Sequence, residues 1–408
     1  MRRIVVLGAA AAVAAAPTAA ATSLPARPGS PVRPIPAPVA GEPVLYAVPG
    51  PDRQPAVPPG WETVPSGQTG PGTDDAAAAV PGPHGRVSAG AGRGGIYRTV
   101  TIQTHRRPDG TFSMTDPTRA GLSCRNYTSG AVLAGRDDVW GNYDGTRIET
   151  GCVDALYSVQ RLWDMFGAWF GRSGIDGSGH GYPVLVGLRQ VNAFWSGSYV
   201  AIGYNTANRY IGALDVVGHE FGHALDATTP GGRSANGVSE ATGDIIGTAL
   251  EFFANDRHDP PDFSIGEEVN LVGVGPYRQM YDPSLFGAPN CYSSSVPFMD
   301  AHAAAGPLDH WFTLVAKGSA AGAGQPASPT CDGSVVTGVG MPIAARIFYN
   351  AMLSKTPGMT YLAYRTATLN SAKALSPGDC AAFDTVRAAW DAISVPPQPA
   401  DPSCPDPA

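Results

Sequence analysis

The chain is poor in charge. Only 15% of its 408 residues are Asp, Glu, Lys or Arg, the formal net charge is −7, and no basic stripe interrupts it. Binding to nucleic acid needs a positive face, so that class of partner is excluded. Long apolar runs are lacking too. The longest, residues 4–16, falls short of the roughly 20 residues that cross a bilayer, so no membrane span is expected. No pair among the six cysteines is spaced C-x-x-C, which removes the common cysteine zinc site. What the N-terminus does have is Arg2 and Arg3, then the short apolar run, then small residues over 19–23. That order is a secretory signal peptide over residues 1–22 and an address outside the cell. Residues 23–88 are crowded with Pro, Ala and Gly without apolar periodicity, as in a pro-segment or linker. In an exported chain, six cysteines suggest three disulfides. Nearest-neighbour pairing (Cys124–Cys152, Cys291–Cys331, Cys380–Cys404) is favoured by proximity alone.

The strongest chemical signal is His219-Glu220-Phe221-Gly222-His223. On a helix, residues four apart sit one above the other, so both imidazoles can reach one metal ion. Glu220, next to the first histidine, can then act as general base. Residues 212–226 carry an apolar face in Val216, Val217, Phe221, Ala224 and Leu225, which supports a buried helix. Gly218 and Gly222 weaken that helix, and the expected compensation is close approach of another element. A second helix is expected over 238–253, with Glu240 and Asp244 on one face. His219, His223 and Glu240 supply the three protein ligands a catalytic zinc takes. Asp244 is placed to accept the other ring N–H of a ligand histidine and fix its tautomer. Solvated acids on an ordinary helix are the bland reading of Glu240 and Asp244.

Elsewhere the patterning divides the chain. Alternation over 94–115, broken at Pro108-Asp109-Gly110, predicts a hairpin. Residues 154–170 read as a core helix and 184–202 as strands. From Ala301 onward helices dominate, over 308–317, 341–353, 361–375 and 380–393. The expected fold is α+β: a β-rich lobe over 89–228 that ends in the metal helix, an α-helical lobe over 229–396, and a tail over 397–408. The metal helix would lie at the cleft between the lobes, a natural place for a peptide.

Asn192-Ala193-Phe194-Trp195, residues 215–220, Glu240 with Asp244, Ile265-Gly266-Glu267, Arg278 with Asp282-Pro283, and His302 with Gly306 follow one another along the chain. On these segments the chain resembles the thermolysin-like zinc endopeptidases over residues 90–395. The resemblance implies one catalytic zinc and the same two-lobed fold. It implies that Glu220 takes a proton from the attacking water and that His302 donates to the oxyanion. Asn192 and the Ala193 backbone would hold the substrate main chain as an added strand. Arg278 would bind a substrate carbonyl, unless it serves a structural salt bridge. Val216 and Ile265 would wall the pocket for a bulky apolar residue after the cut. Asp215, Glu251, Asp262 and Glu267 match acidic ligands of a structural calcium cluster. Ser264 replaces one acid of that cluster, and an insertion at 256–259 disturbs it, so one calcium is expected. The partners implied are protein or peptide substrates, and the protein is expected to be a monomer.

Three departures accompany the resemblance. The loop from His223 to Glu240 is short and has no tyrosine, so a second oxyanion donor is missing and Arg233 is its candidate replacement. The acid that orients the catalytic histidine falls near Pro297, which leaves Asp300 for that role. The segment before the catalytic region is shorter than the family's inhibitory pro-domain. The competing functions are a catalytically weak or inactive module that binds peptides, an exopeptidase, and a non-enzymatic secreted protein that binds no zinc.

Overall fold

The computed structural model describes residues 86–404. The expected signal peptide, and the stretch read as linker as far as residue 85, lie outside the described residues. Strand β1 (Arg86–Arg93) pairs antiparallel with β2 (Thr99–Arg106), Arg86 facing Arg106. Their connection is held from below. Asp154, buried on a helix, accepts the backbone N–H groups of Gly95, Ile96 and Tyr97. Strand β2 then turns through Gly110, at a φ of 86° that favours glycine, into β3 (Phe112–Ser113). The hairpin expected over 94–115 is therefore β2–β3. Strand β1 precedes it and starts inside the stretch read as linker. Its sequence, Arg-Val-Ser-Ala-Gly-Ala-Gly-Arg, carries one β-branched residue and gives no strand signal of its own.

With β5 (Ala134–Gly135) and β6 (Val139–Gly141), the first sheet has the order β5-β3-β2-β1-β6. The second joins β4 (Cys124–Asn126) to β7 (Val184–Val186), β8 (Ala193–Trp195) and β9 (Val200–Ile202), in the order β4-β7-β9-β8. Strands β7, β8 and β9 are buried throughout. They are short apolar runs without alternation because both faces are covered. Helix α1 (Ile148–Phe170) packs against both sheets. It begins before the expected Asp154 because Arg147 offers no capping side chain and the first turn carries little apolar signal.

The rest is helical. Helices α2 (Leu214–Thr228) and α3 (Asn236–Ala254) are followed by a small ladder of β10 (Ser264–Ile265) and β11 (Arg278–Gln279). Then come α4 (Ala301–Ala316), α5 (Met341–Met352), α6 (Tyr361–Leu375) and α7 (Ala381–Ala392). Helix α4 starts a full two turns before the expected 308. Pro307, which reads as a helix start, lies inside it, and Asp300 caps the true N-terminus by accepting the N–H of His302. Stacked Trp311–Trp390 and Phe348–Tyr364 pairs bind α4, α5, α6 and α7 together. The three disulfides are Cys124–Cys152, Cys291–Cys331 and Cys380–Cys404, as nearest-neighbour pairing predicts. Cys124–Cys152 ties β4 to α1. No helix among the described residues is long and apolar enough to cross a membrane.

Candidate active site

The site is assembled by glycines. A Cβ on Gly218 would lie 2.7 Å from the Cα of Gly247, and one on Gly222 would lie 2.8 Å from the Cα of Gly243. Helices α2 and α3 thus cross along a seam of facing glycines, at a backbone separation no side chain permits. That contact is what brings Glu240 and Asp244 on α3 to His219 and His223 on α2. His219 Nε2 lies 3.5 Å from Glu240 Oε2, and His223 Nε2 lies 3.7 Å from the same oxygen. One ligand atom from each of the three residues falls within 4.8 Å of the others, as around a single ion.

The polar atoms here fit a cation. His223 is 2% exposed, yet neither ring nitrogen has a hydrogen-bond partner, and Glu240 Oε2 and Glu220 Oε2 are equally orphaned. Buried polar groups are almost always satisfied, so several together mark a missing partner. Two imidazoles and a carboxylate converging at this separation are the donor set of zinc. His219 Nδ1 lies 2.8 Å from Asp244 Oδ1. Burial alone would lower the His219 pKa, but the bond to Asp244 and its charge raise it to about 10. The same bond turns Nδ1–H toward Asp244 and leaves Nε2 for a metal. Burial, with the charge of His219 and Arg233, holds His223 down at about 4, so its ring is neutral and able to ligate. Burial would raise Glu240, but three facing histidines (His223, His219 and His302) bring it well below the usual range.

Glu220 has a different environment from Glu240. Burial raises it to about 7, helped by the Glu240 charge and opposed by His219 and by the Trp195 N–H that donates to it. A carboxylate poised near neutrality is suited to accepting and returning a proton. That N–H comes from β8, which is an edge strand of its sheet.

Across the site stands the first turn of α4. His302 Nε2 is 3.4 Å from Glu240 Oε2, and its Nδ1 is 3.4 Å from Asp300 Oδ1. Asp300 therefore flanks the ring of His302 as well as capping its helix. Arg278 donates from Nε to Asp244 Oδ2 at 2.6 Å and from Nη2 to Asp244 Oδ1. The structural salt bridge weighed for Arg278 is thus present, and it buttresses the carboxylate that orients His219. Behind it sits Asp309, 2% exposed, hydrogen-bonded to Asp244 and raised well above the carboxylate range by burial and by that neighbour's charge. The sequence reading missed Asp309. Its signal was its place two turns after His302, on the same face of α4. Trp195 was quoted for its motif, but the role of its N–H is visible only in three dimensions.

Of the other site residues, Ala193 opens β8, Val216 lies one turn before Glu220 on α2, and Ile265 pairs with Arg278 in the β10–β11 ladder. Asn192 precedes β8 and accepts the Gly203 N–H on its main-chain oxygen. Arg233 is exposed on the loop between α2 and α3. Of the acids matched to calcium, Asp215, Glu251 and Glu267 converge, with ligand atoms within 4.8 Å of one another. Both carboxylate oxygens of Glu251 lack partners although the residue is 0% exposed. Asp262 stands outside that group and accepts the N–H of Ser264. Asp259, from the insertion, is buried against Tyr97, which donates to it at 2.7 Å.

Two family models cover these elements in order. The thermolysin metallopeptidase catalytic domain matches residues 89–226, and the thermolysin metallopeptidase alpha-helical domain matches residues 233–395. The chain belongs to the thermolysin metallopeptidase family. As a member of that family it is 36% identical, over 329 residues, to the transglutaminase-activating metalloprotease of Streptomyces mobaraensis, across 76% of this chain and 43% of that one. To a thermolysin of Bacillus sp. (strain EA1) it is 28% identical over 331 residues, across 76% of this chain and 58% of the relative. The chain thus spans about half the length of the curated relatives it matches. Among solved structures, the precursor of protealysin from Serratia proteamaculans superposes with a TM-score of 0.52 at 18% identity, over 68% of this chain and 88% of that one. That likeness bears on fold, and agrees with the two lobes described above.

Proposed function

We propose that this thermolysin-family chain is a secreted zinc endopeptidase that hydrolyses internal peptide bonds of proteins, before bulky apolar residues. The observation that carries the reading is the buried, converging set of His219, His223 and Glu240, in which both ring nitrogens of His223 and Glu240 Oε2 lack partners, beside a Glu220 whose pKa is raised to about 7. When bound there, zinc would supply Lewis acidity to a carbonyl and bring a water within reach of ionisation at neutral pH. Glu220 accepts the proton of the attacking water and returns it to the leaving amine. His302, on the opposite wall, donates to the oxyanion, with Asp300 holding its ring. The free edge of β8, with Asn192 and Ala193, pairs with the substrate main chain as an added strand. Val216 and Ile265 shape the pocket for the residue after the cut, and Arg278 holds Asp244 against His219 at its edge.

The cluster of Asp215, Glu251 and Glu267 binds one calcium in this reading, with Asp262 at its margin. Hard carboxylate oxygens suit that ion, and unpartnered buried carboxylates need one. In this reading the catalytic region runs from β1 at Arg86 through two lobes, 89–228 and 229–396. The test is casein cleavage by the mature protein with and without 1,10-phenanthroline, beside Glu220→Gln. Internal cleavage that disappears in both cases supports the reading. A Glu220→Gln protein that cuts casein at the full rate refutes the mechanism.

A further inference from the structure

Asp244, the carboxylate that orients His219, is met by a second buried acid that the mechanism above leaves unused. The bonds of Asp244 are plain. Its Oδ1 faces His219 Nδ1 at 2.8 Å and accepts from Arg278 Nη2, and its Oδ2 accepts from Arg278 Nε at 2.6 Å. Asp309, on α4, is hydrogen-bonded to the same carboxylate. It is buried, and no donor reaches its Oδ1. The packing of α3 on α4 brings the two acids together. A Cβ on Gly237 would collide with the Ala304 carbonyl, so the helices approach at backbone contact. His302 on α4 then lies 3.4 Å from Glu240 on α3. Two turns beyond His302 and one turn beyond Glu240, the same faces meet again as Asp309 and Asp244.

An ionised carboxylate can only accept hydrogen bonds. Two carboxyls bonded to each other therefore hold a proton between them, and their surroundings decide which one carries it. Asp244 faces a guanidinium and an imidazole N–H, which favour its ionised form. Asp309 is out of water beside a negative charge, with no donor at Oδ1, and both conditions favour the neutral acid. We infer that Asp309 is a positioning residue that stays protonated at neutral pH and donates its O–H to Asp244, so that Asp244 is held from α2, β11 and α4 and keeps His219 Nε2 turned to the metal. An ionised carboxylate has about four acceptor places. His219, the two N–H groups of Arg278 and the O–H of Asp309 fill them. Helix α4 would thus serve the site twice, with His302 facing the substrate and Asp309 supporting a ligand. The inference rests on the zinc site of the proposed function, and not on which peptide bonds are cut.

Two variants separate the proton from the packing. Asp309→Asn keeps a donor in nearly the same shape, whereas Asp309→Leu fills a similar volume and donates nothing. Both are made in the Glu220→Gln background, which prevents self-digestion. Zinc affinity, measured by competition with a chromogenic chelator, should fall at least tenfold in Asp309→Leu, the usual cost of losing a group that holds a metal ligand in place. In Asp309→Asn it should stay close to that of the parent. The proton has a signature of its own. The infrared difference spectrum of parent minus Asp309→Asn, at neutral pH, should show the C=O stretch of a carboxylic acid, which an ionised carboxylate lacks. Equal zinc affinities in the two variants overturn the inference, and so does a difference spectrum with carboxylate bands alone. A parent that binds no zinc yet shows the carboxylic-acid band refutes the zinc reading and supports the bond from Asp309 to Asp244.

Discussion

The acidic cluster makes a prediction about stability that is separate from catalysis. Without a cation, Glu251 and Glu267 are raised well above their ordinary range, Glu267 to about 10, by burial and by the charges of neighbouring acids. Asp215 is raised to about 6 and Asp259 to about 8, burial again the largest cause. The cation-free fold therefore keeps protons that the unfolded chain gives up near pH 4. Where the folded state binds more protons, stability falls as pH rises. The contribution is intact below the unfolded pKa of about 4 and is lost as pH climbs through the raised folded values. Glu267 alone, held protonated throughout, removes about 4 kcal/mol between pH 5 and pH 8, at 1.36 kcal/mol per unit. That is comparable to much of the net stability of an ordinary domain, about 5–15 kcal/mol. With a cation bound the carboxylates are ionised in the fold as well, and the dependence flattens.

The assay is the Tm of Glu220→Gln, chosen to prevent self-digestion, measured from pH 5 to pH 8 with calcium and after EGTA, with zinc restored in both arms. The calcium-loaded Tm should change little across this window. The chelated Tm should fall on the order of 10 °C toward pH 8, given about 2–4 °C per kcal/mol in chains of this class. A chelated Tm that is flat, or that rises from pH 5 to pH 8, refutes both the cation site and the electrostatic reasoning.

Three further outcomes follow from the geometry. His302→Ala should lower kcat by roughly two to three orders of magnitude with zinc content unchanged, the usual cost of one oxyanion donor; an unchanged kcat removes His302 from the mechanism. Gly243→Ala places a Cβ 2.5 Å from His219 Nδ1, so the ring must move, and zinc affinity measured by competition with a chromogenic chelator should fall at least tenfold. Lys355→Met leaves the buried Asp226 without its cation and should cost about 3–5 kcal/mol by urea denaturation; a cost below about 1 kcal/mol would show that the pair adds little to stability.

How legible all this was depends on how local each signal is. The metal ligands were readable because a helix turns a spacing of four into one face, so His219 and His223 declare their common target. Glu240 and Asp244 declared each other by the same rule, but their union with the histidines rests on Gly218, Gly222, Gly243 and Gly247. Two of those glycines raised an expectation of close packing, and neither could name its partner. Helix α4 shows the reverse. Its local signal, Pro307, pointed to the wrong start, because a cap at Asp300 and packing against α3 outweigh one absent N–H. The residues that escaped altogether act through atoms a sequence cannot aim. Trp195 contributes a backbone N–H, and Asp309 contributes a carboxyl whose pKa is raised by burial and by the charge of Asp244. Two of a site's ligands can be written in one helix, whereas the third ligand and the groups that orient them are supplied by whatever the fold packs alongside.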